Sequence, residues 1–366
     1  MRLALLLPNW IGDAVMATPA LRALRRKFAD AELIGIAKPA ICELLEGVPS
    51  VDTLWPIEAG DATDRILALA RRLRAGRFDV AIHFTNSFGT ALAARLAGVP
   101  ERIGYVRRGR GPLLTQKLVP PRQAGRLQPV PAVDYYLGLA AALGCGPEPP
   151  RLELATDAEG EAAAERLWQS FGARRDRPAI ALNNSGAFGE AKLWPQAHLA
   201  ALVRRLALEL DHNLLLLAGP ADAERMTQLR AELACPHLLT TADKPSLGLS
   251  KAVVRRSRLL VTTDSGPRHF AAAFGIPAVV LFGPTDPAWT DLHSDRESWV
   301  RLGLDCQPCQ QRHCPLGHHR CMRDLGPDRV EAAIHDRLRR VEPASAGKED
   351  AGIREGFRPS DREAAS

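Results

Sequence analysis

Long hydrophobic runs are missing from this 366-residue chain. No segment approaches the roughly 18–20 apolar residues of a membrane-spanning helix. Aromatic residues are scarce at 5%, with only 3 tyrosines, and lysine is scarcer still, supplying 7 of the 48 basic residues. That ratio reads as codon bias, so arginine counts alone carry little meaning. The dinucleotide fingerprint G-x-G-x-x-G followed by an acid is absent, as is a P-loop, which argues against a dehydrogenase or an NTPase of those types. The opening MRLALLLPNW has one basic residue, and its apolar stretch ends at Pro8–Asn9. A signal peptide needs an apolar region of roughly 7–15 residues, so this segment is expected to be a buried first strand. The expected compartment is the cytoplasm, where structural disulfides are not expected.

What is present is ordinary globular composition, 46% hydrophobic and 25% charged, which excludes disorder, collagen and coiled coil as descriptions of the whole. Continuous apolar runs at Leu3–Leu7, Leu33–Ile36, Phe78–Ile82, Ala179–Leu182, Leu214–Ala218, Leu259–Thr262 and Ala278–Phe282 read as parallel strands covered on both faces. Amphipathic stretches such as Leu21, Leu24, Phe28 and Leu199, Leu202, Leu206, Leu210 alternate with them. The alternation predicts an α/β fold of doubly wound sheets. A Pro- and Gly-rich stretch at 144–156 divides the series. The expected domains are therefore Rossmann-like units at 1–155 and 156–342, with a disordered tail at 343–366.

Four segments carry candidate chemistry. In PNWIGDAVMATPALRALRRKF, Asp13 follows the first strand, where it is either a catalytic carboxylate or a helix cap. The helix begins near Asp13 with Pro19 inside it, or at Thr18 with Pro19 in its first turn. In ALNNSGAFGEAKLWPQAHLAAL, small residues and Lys192 suit a phosphate or pyrophosphate. In LLLLAGPADAER, Asp222 and Glu224 are candidates for a ribose contact, or acids favoured by the helix dipole. In LLVTTDSGPRHFAAAFGIPAVVLFGP, Asp264, Ser265 and Gly266 precede a helix carrying His269, which makes an anion cradle, with a core histidine as the plain alternative.

Taken in order, these motifs resemble glycosyltransferase family 9, the ADP-heptose:lipopolysaccharide heptosyltransferases. The carrying residues are Gly12-Asp13, a loop with Lys192-x-Trp194-Pro195, and Asp264-Ser265-Gly266-x-x-His269 followed by Gly275-x-Pro277-Ala278-Val279. The opening P-N-W-I-G-D, Asn86-Ser87-Phe88 and Arg102-Ile103-Gly104-Tyr105 are most like the heptosyltransferase II branch. The resemblance implies a GT-B architecture, two Rossmann-like domains facing across a cleft. It implies inverting transfer of L-glycero-D-manno-heptose from ADP-heptose to a lipid A–Kdo–heptose acceptor at the inner membrane surface, by a protein peripheral on that membrane, with no cofactor required. Asp13 matches the family's general base. Lys192 matches its pyrophosphate ligand, and Asp264, Gly266 and His269 its phosphate segment, with Ser265 a donor-binding candidate beside them. Ser185 and Glu224 are expected at the phosphate and ribose, with Asp222 still open. Other readings are heptosyltransferase I or III, or a non-catalytic binder of anionic glycan or nucleic acid.

Two features stand beside that set. Cys306, Cys309, Cys314 and Cys321 fall in one short window with His313, His318 and His319. Their spacing makes a structural zinc, a disulfide pair or free thiols the alternatives. The charge is also uneven. The net charge is +6, yet 95–126 holds eight basic residues and one acid. Nucleic acid is a poor partner for so local a patch. An anionic acceptor fits it better, with Asn9, Arg107 and Arg110 as candidate contacts.

Overall fold

The computed structural model describes residues 1–57, 60–186 and 188–341. The expected tail at 343–366 lies outside them. The first half alternates β1 (Arg2–Leu6), α1 (Ile11–Met16), α2 (Thr18–Lys27), β2 (Glu32–Ala37), α3 (Pro39–Leu45), β3 (Thr53–Pro56), α4 (Ala62–Gly76), β4 (Val80–His83), α5 (Phe88–Leu96), β5 (Glu101–Tyr105) and β6 (Gln116–Leu118). A two-stranded ribbon, β7 (Arg122–Gln123) and β8 (Arg126–Leu127), and helix α6 (Ala132–Ala142) complete it. The second half runs α7 (Ala158–Gln169), β9 (Ala179–Asn183), α8 (Gln196–Glu209), β10 (Asn213–Leu217), α9 (Ala223–Leu233), β11 (Leu238–Thr240), α10 (Leu247–Arg256), β12 (Leu259–Thr263), α11 (Gly266–Phe274), β13 (Ala278–Leu281), β14 (Glu297–Val300), α12 (Arg320–Arg323) and α13 (Pro327–Val341).

Each half forms a six-stranded parallel sheet, ordered β3-β2-β1-β4-β5-β6 and β11-β10-β9-β12-β13-β14. The topologies are the same although no internal sequence repeat is evident. In both sheets the order reverses beside the first strand, and ligands bind open sheets beyond the strand ends at that point. The apolar runs reflect burial on both faces. Leu3, Leu5 and Leu7 point into one cluster, Ala4 and Leu6 into another. In the second sheet Ala179 and Ala181 face the first cluster, while Ile180 and Leu182 face a third. One apolar cluster thus includes residues of both halves.

The strand ends match the apolar runs to within a residue or two. The strands absent from the expectation are β3, β5, β6, β11, β14 and the ribbon, which are short or rich in polar residues. Both expected helix starts occur: α1 begins at Ile11 and α2 at Thr18, with Pro19 in the first turn of α2. The 144–156 stretch is irregular and tied down, since Arg22 pairs with Glu148 at 2.7 Å and Glu153 N donates to Thr18 Oγ1 at 2.9 Å.

Candidate active site

Asp13 lies in the first turn of α1 but does not cap it, because the N-cap is Trp10. Its Oδ1 accepts a hydrogen bond from the Tyr136 hydroxyl on α6 at 3.1 Å. Burial raises the Asp13 carboxyl above its ordinary value, against the lowering pull of Tyr136 and Lys192. Asp13 opens on a cavity of about 180 Å³ shared with Asn86, Arg107, Tyr135, Tyr136 and Trp289. The chain's three tyrosines meet here. The Tyr105 and Tyr135 rings stack at 3.8 Å, and Tyr136 packs edge-on to Tyr135 at 5.7 Å. Asn9 lies beside this wall, its amide donating to Thr85 Oγ1 at 3.3 Å.

The second half brings its motifs to the matching point of its own sheet. Asn184 clamps the loop after β9, donating to Trp194 O at 2.8 Å and accepting from Trp194 N at 2.9 Å. The Trp194 indole is anchored to Leu325 O at 2.7 Å. That closure presents Lys192, whose Nζ donates to Asp264 O at 2.5 Å and Oδ2 at 3.0 Å. Asp264 also accepts from Arg268 at 3.0 Å, and Arg268 is fully buried against Glu297 and Thr290. Burial pushes the Asp264 carboxyl up, but Lys192 and Arg268 outweigh it and hold it well below the usual range. Ser265 caps α11 by backbone position only, and its Oγ accepts from Asn183 at 2.8 Å. Ser185 is held through its carbonyl, which accepts from Thr263 Oγ1 at 2.7 Å.

The halves meet where α1 touches α11. Gly12 and Gly266 make the approach feasible. A Cβ on Gly12 would fall 2.7 Å from His269 Cε1, and one on Gly266 would fall 3.0 Å from Ile11 Cγ2. Neither ring nitrogen of His269 has a hydrogen-bond partner. Burial lowers its pKa to about 4, so it is neutral near pH 7. The structure therefore brings Asp13, Lys192, Asp264, Ser265, Gly266 and His269 into one neighbourhood.

Glu224 and Asp222 part company. Asp222 accepts from Arg225 at 2.7 Å, and Arg225 also donates to Asn184 O at 2.6 Å. Glu224 is exposed and accepts from Gln228 at 3.2 Å. Arg110 corrects the sequence reading outright. It is fully buried, donating to Tyr105 O at 2.9 Å, to Asn86 Oδ1 at 2.9 Å and to Thr85 O. All its donor directions face the protein, so it shapes the cavity wall and cannot meet an acceptor. Arg107 does line the cavity. Sequence reasoning missed Tyr136, Arg268 and Asn184, and took Asn86 only as a mark of the family branch. Only the rarity of tyrosine pointed toward the first.

Two doubly wound sheets, with a carboxylate from one facing a lysine–aspartate pair and a helix terminus from the other, define a GT-B glycosyltransferase. The chain belongs to glycosyltransferase family 9 (heptosyltransferase), whose family model matches residues 66–320. It is 30% identical to lipopolysaccharide heptosyltransferase 2 of Escherichia coli K12 over 90% of this chain and 96% of that one. It is 29% identical to the Salmonella typhimurium protein of that name, over 92% and 99%. The solved structure of E. coli ADP-heptose LPS heptosyltransferase II superposes with a TM-score of 0.77 at 26% identity, covering 94% of this chain and 100% of that one.

Proposed function

We propose that this chain transfers L-glycero-D-manno-heptose from ADP-heptose to the first heptose of the lipopolysaccharide inner core, with inversion. The observation that carries the reading is Asp13, its carboxyl raised by burial and in no ion pair among the described residues, set beside a cavity across from Lys192 and Asp264. An acceptor hydroxyl attacks the anomeric carbon from the side of Asp13. Its proton passes to the carboxylate late in the transition state, where a base of raised pKa is more effective. The bond from the anomeric carbon to the phosphate oxygen breaks, and ADP leaves with the electron pair. Lys192 has three N–H donors, of which the structure spends two on Asp264. The third, with the α11 amides behind Ser265 and Gly266 and the Ser185 loop, stabilises the departing charge. His269, neutral and fully enclosed, packs the cradle against Gly12. The ribose contact falls to exposed Glu224, since Arg225 already holds Asp222.

The acceptor enters over Asn9, Arg107 and the ribbon. Arg108, Lys117, Arg122 and Arg126 are exposed around that entrance, and Val119 is 75% exposed. This face suits the anionic inner leaflet, and we place the protein there as a peripheral one. Among the described residues no helix is long and apolar enough to cross a membrane.

The test is mass spectrometry of products from ADP-heptose with acceptors of defined core length. One added heptose on a Kdo–heptose acceptor is expected. Addition only to a heptose-free acceptor, or only to a longer core, overturns the acceptor assignment, and no product with any acceptor overturns the activity. Lys192→Ala is expected to weaken donor binding and slow transfer together. Unchanged donor kinetics would remove Lys192 from the pyrophosphate.

A further inference from the structure

The cysteine segment does nothing in the scheme above, yet it is built against the donor side of the cleft. Cys306, Cys309, Cys314 and Cys321 surround one small cavity, with His318 and His319 at its wall. None of the four is in a disulfide. Their polypeptide is pinned at several points. Gln307 donates to Phe282 O and Gly283 O, both at 2.8 Å, at the end of β13. The His319 amide donates to Cys314 Sγ at 3.3 Å, the contact that stabilises a sulfur carrying negative charge.

The same segment supports the Lys192 loop from behind. The Ala191 amide donates to Arg312 O at 3.0 Å, and Ala191 O lies 2.7 Å from His319 Nε2. His313 Nδ1 meets Glu190 at 3.0 Å. Gly189 sits so close to Arg312 that a Cβ there would fall 2.5 Å from its carbonyl oxygen. The Arg312 guanidinium then reaches Phe188 at 5.7 Å and Trp10 of the first half at 6.0 Å. Residues 188–192 thus rest on the cysteine segment.

We propose that the four cysteines hold one thiophilic divalent cation, zinc or ferrous iron, which fixes the segment that supports Lys192. Four thiolates select such ions over hard cations. Converging thiols without disulfides, on a segment with no strand or long helix of its own, are what a structural metal organises. No three of the four sulfurs lie mutually within 4.8 Å. A closed tetrahedral shell with bonds of about 2.3 Å needs sulfurs about 3.8 Å apart. Capture therefore draws the cysteines inward and tightens the segment under Ala191. The metal site stands on the cysteines alone, and only its effect on Lys192 rests on the donor role proposed above.

The experiment uses the full chain purified without chelator, under anaerobic conditions for the iron arm. Elemental analysis is expected to find one equivalent of zinc or iron per chain, and which of the two it finds identifies the ion. A thiol reagent should release it as four thiols react. The ADP dissociation constant is then measured by calorimetry on native, stripped and reloaded protein. Stripping is expected to weaken ADP binding on the order of tenfold, as loss of a positioning partner does, and reloading to restore it. Cys309→Ser and Cys321→Ser should behave as stripped protein, and Cys235→Ser as native. No bound metal with four freely titrating thiols, or cysteines found as disulfides, overturns the site. Bound metal whose removal leaves ADP affinity unchanged overturns the link to Lys192. Absence of heptosyl transfer with metal-dependent ADP binding leaves this inference standing and removes the activity instead.

Discussion

Asp13 and its neighbours show how much one side chain's environment decides. Asp13→Asn is expected to abolish transfer while ADP-heptose still binds, measured by kinetics and calorimetry on the same protein. Substantial residual turnover would remove Asp13 as the base. Tyr136→Phe separates positioning from chemistry. The Tyr136 hydroxyl donates to the carboxylate and lowers its pKa, so its loss raises that pKa further. The acid limb of the kcat/KM profile should move to higher pH, with a fall of about 10-fold or less at pH 7. An unmoved limb would separate Tyr136 from the base. Arg110 and Arg107 give a third contrast. Arg110→Met leaves buried acceptors unpaired, and a cost of about 3 kcal/mol is expected in urea unfolding. Arg107→Glu should raise the acceptor KM and spare ADP-heptose affinity. Comparable destabilisation in both variants would contradict the assignment of one to the wall and the other to the cavity.

At the scale of elements, the contact of α1 with α11 joins the two halves beside Asp13. Both helices start beside a glycine that sequence patterning reads as mere turn punctuation. In the fold, the Gly12 position is closed by the His269 ring, with a notional Cβ at 2.7 Å. Gly12→Ala therefore forces the helices apart or pushes the ring aside. Overpacking of this kind costs about 1–3 kcal/mol, and Asp13 moves with its helix. The expected result is a lower unfolding midpoint and a kcat/KM reduced at least tenfold. Wild-type values for both would show that the helices part without consequence. The strand–helix alternation was legible because β1, β9, β10 and β12 are buried on both faces and so are apolar throughout. The edge strands β3 and β14, and the ribbon over the cavity, were not, because they are half wet and their residues resemble loops.

For the whole molecule, acid stability follows from what both halves bury. His83 is fully enclosed at the end of β4 and lowered by burial to about 3, and His269 to about 4. An unfolded histidine titrates near 6.5, so below that pH the unfolded chain takes up protons that the folded one refuses. Stability is therefore highest above pH 6.5 and falls as pH drops through the window down to about 4. Asp264, held low by its cations, adds a further loss below the ordinary aspartate range, while the raised Asp13 opposes the trend. Between pH 7 and pH 5 the two histidines together should cost on the order of 3–4 kcal/mol. Urea midpoints at the two pH values check this, and equal midpoints would show that the histidines are not held neutral.

The sequence by itself determined the buried central strands and their alternation with helices, the two-sheet α/β plan and the positions of Asp13, Lys192, Asp264 and His269. Those follow from local signals: apolar runs, glycine and proline placement, and motif order. Only the tertiary structure decided what each side chain does. Tyr136 lies 123 residues from the aspartate it touches. Lys192 is aimed by Asp264, 72 residues on. Arg110 looks like part of a basic surface in the sequence and is the fully buried prop of a cavity wall in the fold. The cysteine segment looks separate, and it underlies the lysine loop. Charge, pKa and accessibility depend on what the fold packs against a group, and those neighbours come from segments that no local pattern links.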